Sequence, residues 1–130
     1  MARIVFCEDD PQIQKLIRVA MRPTPHETLV APDGRAGLAL IASAPTDLVV
    51  TDVHMPELDG YALVAALHND SRLAGIPVLF LTASAQREQV ESAFAHGAAG
   101  FLAKPFGTAQ LRDKVAEVLN RSRLQAASSA

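Results

Sequence analysis

The chain has 130 residues, 49% of them apolar and 20% charged, with a formal net charge of −2. That length suits one domain, and the balance closes a single core where a disordered chain would carry fewer aliphatics and more net charge. Acids and bases are scattered, so no basic stripe offers a nucleic-acid backbone a footprint, and direct nucleic-acid binding is not expected.

The single cysteine, Cys7, excludes an internal disulfide framework. It fits a reducing cytoplasm and is expected to be an inert buried thiol. No apolar run approaches the ~20 residues of a membrane-spanning helix. The apolar segment after Met1 is too short for a signal-peptide core and ends in acids.

Short apolar runs alternate with helix-period segments along the whole chain. Ile4–Cys7 is continuously apolar and ends in Glu8-Asp9-Asp10. Pro11 then opens a segment with Ile13, Leu16, Ile17 and Ala20 at helical spacing. Asp10 before Pro11 is a good N-cap pair, because the carboxylate accepts free backbone N–H groups and proline has none to lose. Thr28–Ala31 is the second run, followed by the Pro32-Asp33-Gly34 breaker and a helix carrying Leu38 and Ile41. Gly37 weakens that helix and suits close packing on a sheet.

Leu48–Val50 begins the third run, which ends at Thr51 and Asp52, and a Pro56 loop leads to a helix with Ala62, Leu63, Ala66 and Leu67. Val78–Leu81 is the fourth run, and the helix after it carries Val90, Ala93 and Phe94, with Ser84 as its expected cap and Gly97 at its C-terminal end. Phe101–Ala103 is the fifth, before a last helix with Leu111, Val115, Val118 and Leu119. Beyond Arg123 the residues 124–130 read as a frayed tail. His26, His68 and His96 lack metal-ligand spacing and read as surface or loop residues.

Five strand–helix pairs with strands apolar on both faces predict a parallel sheet covered by helices on both sides. In such sheets ligands bind outside the carboxyl ends of the strands, where the strand order reverses. The residues found there are Glu8 and Asp9 after the first strand, Asp52 at the end of the third, Thr82 at the end of the fourth and Lys104 at the end of the fifth. Three carboxylates in one crevice repel each other and call for a cation. Carboxylate oxygens with room for waters suit Mg²⁺. Lys104 adds a second positive charge, and Thr82 a hydroxyl that can donate to an incoming oxygen. Such a set suits phosphoryl transfer, with a carboxylate as nucleophile.

The runs Val5-Phe6-Cys7-Glu8-Asp9-Asp10-Pro11, Thr51-Asp52-Val53-His54-Met55-Pro56 with Asp59-Gly60, Leu81-Thr82-Ala83 and Lys104-Pro105-Phe106 together resemble the response-regulator receiver family of two-component systems, over roughly residues 3–121. The resemblance implies a flavodoxin-like three-layer αβα fold, with a five-stranded parallel sheet of order 2-1-3-4-5 and five helices. It implies a receiver domain over residues 1–123, followed by a flexible tail at 124–130.

It also implies roles. Asp52 would accept a phosphoryl group. Asp9 would bind Mg²⁺ directly and Glu8 through water, with Asp52 and the backbone carbonyl of His54 as further ligands. Thr82 and Lys104 would hold the phosphoryl oxygens, and the Lys104-Pro105 bond would be cis. Phe101 would be the aromatic switch residue, although a phenylalanine in a strand also reads as plain core.

Aspartyl phosphatases of the haloacid-dehalogenase type carry a second acid two positions after the nucleophile. Here that position is His54, so the acyl phosphate is expected to persist as a signal instead of turning over. A multiple-turnover phosphatase, a receiver fold that no longer takes phosphate and a flavodoxin-like electron carrier are the competing readings.

The expected partners are a sensor histidine kinase or histidine phosphotransfer protein, and a downstream target or output domain. The latter would be met by the face of the last two helices and strand five, around Phe101, Phe106, Gln110 and Lys114. Gly97-Ala98-Ala99-Gly100 lacks the acidic pair common in the winged-helix branch, so dimerisation in that manner is not expected. A stand-alone cytoplasmic regulator is favoured over the receiver of a longer chain.

Overall fold

The computed structural model describes residues 1–83 and 86–129. Ser84, the expected cap of the fourth helix, lies outside the described residues. The elements are β1 (Arg3–Cys7), α1 (Pro11–Met21), β2 (Glu27–Ala31), α2 (Gly34–Ser43), β3 (Leu48–Asp52), α3 (Gly60–His68), β4 (Val78–Thr82), α4 (Arg87–Ala95), β5 (Gly100–Ala103) and α5 (Thr108–Ser129). All strand pairs are parallel, in the order β2-β1-β3-β4-β5. The order reverses between β1 and β3, so the crevice for chemistry lies where those two strands end.

Alternation along each strand divides the core in two. Ile4, Phe6, Leu48, Val50, Leu79 and Leu81 face α1 and α5, and meet Ile17, Ala20, Leu111, Val115 and Val118. Val5, Cys7, Val49, Val78 and Phe80 face the other way, toward Ile41 of α2, Leu63, Val64 and Leu67 of α3 and Ala93 of α4. Three helices begin on an aspartate whose side chain accepts a first-turn N–H: Asp10 from Gln12, Asp33 from Ala36 and Asp59 from Ala62. Gly97, at φ 95 just after the C-cap His96, ends α4 in the left-handed conformation that glycine adopts freely. A Cβ on Gly37 would lie 2.2 Å from Cys7 Sγ, so glycine there is what lets α2 press onto β1.

Three expectations are corrected. The last helix does not end at Arg123 but continues to Ser129. Leu124-Gln125-Ala126-Ala127 contains good helix formers and no glycine or proline. Phe94, expected on the buried side of its helix, is 47% exposed, because α4 buries only Ala93. Phe106, expected on the outer surface, is only 8% exposed and packs in the layer under α1 and α5.

Candidate phosphoryl-transfer site

The parallel register sets the site. Cys7 pairs with Thr51, Asp52 with Leu81 and Thr82 with Ala103. Glu8, Asp52, Thr82 and Lys104 are therefore the last residues of their strands or the first beyond them, and they gather along one edge of the sheet. Lys104 is tied to this edge through its backbone N–H, which donates to the Thr82 carbonyl at 2.7 Å.

Glu8 is fully buried and Asp52 is 3% exposed, an unusual position for carboxylates. The Lys104 ammonium lies 3.0 Å from Glu8 Oε1 and 2.6 Å from Asp52 Oδ1. These are ion-pair distances without aligned hydrogen bonds: both Asp52 oxygens and Glu8 Oε1 are buried with no donor in good geometry. Glu8 Oε2 accepts the Asp10 N–H at 3.0 Å, and the Glu8 carbonyl accepts the Gln14 amide at 2.7 Å.

Burial first, and then the neighbouring Glu8 carboxyl, push the Asp52 carboxyl up to about 8 against the pull of Lys104. Burial also works against a charged Glu8, but the Asp52 carboxyl, the Asp10 N–H and Lys104 outweigh it and hold Glu8 low. Burial likewise opposes the charge on Lys104, yet contact with Asp52 and Glu8 raises it above the usual lysine range. One lysine thus serves two buried carboxylates, and a further cation would let both ionise.

The residues fit such a cation. Glu8, Asp9 and Asp52 each offer a carboxylate oxygen, all within 4.8 Å of one another, with Asp9 exposed toward solvent. Two buried, all-oxygen ligands beside an exposed one suit a hard divalent ion that keeps some of its water.

The loop carrying His54 is clamped from two sides. A Cβ on Gly60 would lie 2.3 Å from the Asp52 carbonyl oxygen, and one on Gly34 would lie 2.0 Å from the Leu58 carbonyl oxygen. Only glycine permits both approaches. Within the loop, Leu58 N–H donates to the Pro56 carbonyl at 2.8 Å around Glu57, which sits at φ 69. This i to i+2 turn, with a non-glycine residue at positive φ, is a rare and strained form. His54 is exposed.

The Lys104–Pro105 peptide bond is cis. Phe101 is half-buried on β5, edge-on to Phe94 with ring centroids 6.0 Å apart. Cys7 is buried, and burial first of all pushes its thiol up to about 12, so it is inert at neutral pH.

Comparison with known proteins decides the family. The response regulator receiver domain model matches residues 4–116. The chain belongs to the response regulator receiver domain family. Phosphorylation-activated switching in two-component signalling is the general function of that family, and receiver domains are signalling switches, not metabolic enzymes. This receiver domain is 34% identical over 94% of its length to the DNA-binding dual master transcriptional regulator RpaA of Synechocystis, covering 51% of that protein. It is 32% identical over 92% of its length to the chemotaxis protein CheY of Pseudomonas aeruginosa, covering 97% of it. The solved structure of CheY4 from Vibrio cholerae superposes with a TM-score of 0.85 at 30% identity, covering 91% of this receiver domain and 98% of that chain. The chain spans about half the length of the first curated relatives it matches. Among the described residues no helix is long and apolar enough to cross a membrane.

Sequence reasoning did not find the clamp by Gly34 and Gly60, the turn at Glu57 or the surroundings of His96. His96 stacks on Tyr61 at 4.0 Å. Gly60 sits in a quoted motif, but its contact with Asp52 crosses a loop and leaves no local pattern.

Proposed function

We propose that the receiver domain spans residues 1–123 and that Asp52 is its phosphoacceptor, with Mg²⁺ as the divalent ion. One observation supports this most: Asp52 is a buried carboxylate with no aligned donor, 2.6 Å from the Lys104 ammonium and grouped with Glu8 and Asp9. A carboxylate oxygen of Asp52 attacks phosphorus. The new P–O bond forms as the bond to the donor's imidazole nitrogen or acyl oxygen breaks, and the leaving group departs with the electron pair. Mg²⁺, when bound, neutralises charge on the phosphoryl oxygens and on the carboxylates.

Asp9, Asp52 and the His54 backbone carbonyl would hold the metal, and Glu8 would hold it through water. Lys104 leaves its pairing with Asp52 to hold a phosphoryl oxygen, and Thr82 donates its hydroxyl to another. Phe101 turns as the switch residue. With His54 in place of a second acid, hydrolysis is slow and the phosphorylated state persists.

The donor is a sensor histidine kinase or a histidine phosphotransfer protein. An apolar groove of about 260 Å³, lined by Ile13, Leu16, Ala83, Lys104, Pro105 and Phe106, opens beside the site and suits the donor's docking face. The downstream target or output domain meets the face of α4, β5 and α5, and the domain itself makes no direct contact with nucleic acid. Its place of action is the cytoplasm.

Intact mass after incubation with Mg²⁺ and acetyl phosphate tests the reading. Wild type gains one phosphoryl group and Asp52→Asn gains none; equal labelling of the two overturns it.

A further inference from the structure

α4 is the least anchored helix of the fold. It buries only Ala93, where α3 buries Gly60, Leu63, Val64 and Leu67. With so little apolar surface covered, α4 belongs to the part of the fold that opens at low free-energy cost.

One side chain outside the helix reaches it at two points. Tyr61, the second residue of α3, donates its hydroxyl to Ser92 Oγ at 3.2 Å. Its ring stacks on the imidazole of His96, with centroids 4.0 Å apart and planes inclined by 21°. His96 is held in turn, since its Nδ1 lies 2.7 Å from the Ser92 carbonyl, which can only accept.

The other edge of Tyr61 points back into the domain. Its ring meets Phe80 of β4 edge-on at 5.4 Å. Gly60, the preceding residue, is seated against both the Asp52 carbonyl and the Phe80 ring, so tightly that a Cβ would lie 2.3 Å from one and 3.1 Å from the other. The Gly60 N–H also donates to the carbonyl of Val53, the residue after Asp52, at 2.8 Å. Tyr61 thus leans on the backbone that carries Asp52 and grips α4.

We propose that Tyr61 is a positioning residue: it fixes α4 in the unphosphorylated chain, and a change at Asp52 reaches α4 through Gly60, Phe80 and the Tyr61 contacts. The second half rests on Asp52 being the phosphoacceptor; the first half does not. A merely structural tyrosine would stabilise the domain as a whole without singling out α4.

Two measurements separate these cases. In the unphosphorylated protein, Tyr61→Phe removes the hydroxyl and keeps the ring. Amides of residues 87–96 then exchange with deuterated solvent about fivefold faster, the factor that one net hydrogen bond represents, while α5 amides are unchanged. Ser92→Ala gives the same increase, and the double variant is no faster than either single one, because both remove one contact. Wild-type exchange across α4 in both single variants, or equal acceleration in α4 and α5, overturns the proposal.

The second measurement uses the composition of the chain, which has one tyrosine and no tryptophan. Its intrinsic emission therefore reports on Tyr61 alone. With Mg²⁺ and acetyl phosphate, wild type is expected to change its tyrosine emission as it gains one phosphoryl mass. A mass gain with constant emission overturns the coupling. No mass gain overturns the phosphoacceptor reading instead, and the exchange arm still decides whether Tyr61 holds α4.

Discussion

Beneath α5 the sheet is closed by apolar side chains, with Leu111, Val115, Val118 and Leu119 all buried against Leu79, Leu81 and their neighbours. A few ångströms along the same strands, at their carboxyl ends, the buried groups are the carboxylates of Glu8 and Asp52, and the adjoining loop holds Glu57 at positive φ. The first region contributes stability. The second gives some of it up, since a buried carboxyl without an aligned donor and a strained backbone both cost free energy. A receiver needs both: a rigid sheet to hold the edge in register, and an edge of buried carboxyls that can take a cation.

The contrast predicts substitutions of opposite sign in the two regions. The largest effect is expected at Leu111→Ala, which opens a cavity in the layer under α5 and costs about 2–5 kcal/mol. Its urea midpoint falls accordingly, and a loss no greater than that of a surface substitution breaks the comparison.

Asp52→Asn is expected to act the other way in protein freed of divalent ions by EDTA. Asp52 keeps its proton up to about pH 8 when folded but only to about pH 3.9 when unfolded. The folded chain therefore binds more protons between those values and loses stability as pH rises through them. The variant removes that loss, so it gains clearly more stability at pH 8 than at pH 4. Urea titrations at the two pH values show the difference; equal gains at both point away from the carboxyl charge. Glu8, held low, has the opposite sign, and its contribution is lost only as pH falls through the acid range.

The smallest effect is expected at Glu57→Gly. Glycine accepts φ 69 without the Cβ clash, which outweighs its extra entropy when unfolded, for a gain of about 1 kcal/mol. The ion pair given up, Arg35 to Glu57 at 4.0 Å between two exposed side chains, contributes little. A loss of stability in that variant would mean that the turn is not where strain is held.

Much of this edge was legible in the chain. Glu8, Asp9, Asp52, Thr82 and Lys104 each follow or close an apolar run, so alternation alone placed them on one side of a parallel sheet. The Asp10 cap and Gly97 were legible because their signals are local. The exposure of Phe94 and the burial of Phe106 were not. Both residues sit where a helix or loop meets the sheet, and which side is covered depends on how far a neighbouring element reaches.

The sequence by itself determined the order of the elements, the two-faced parallel sheet and the identity of the acids, hydroxyl and lysine at its carboxyl edge, because those follow from hydrophobic period and strand-end chemistry. Only the tertiary structure decided how buried Glu8 and Asp52 are, which glycines clamp the loop above them, and that Tyr61 reaches α4. Those facts depend on distances between residues far apart in the chain, and no local pattern of residue types encodes them.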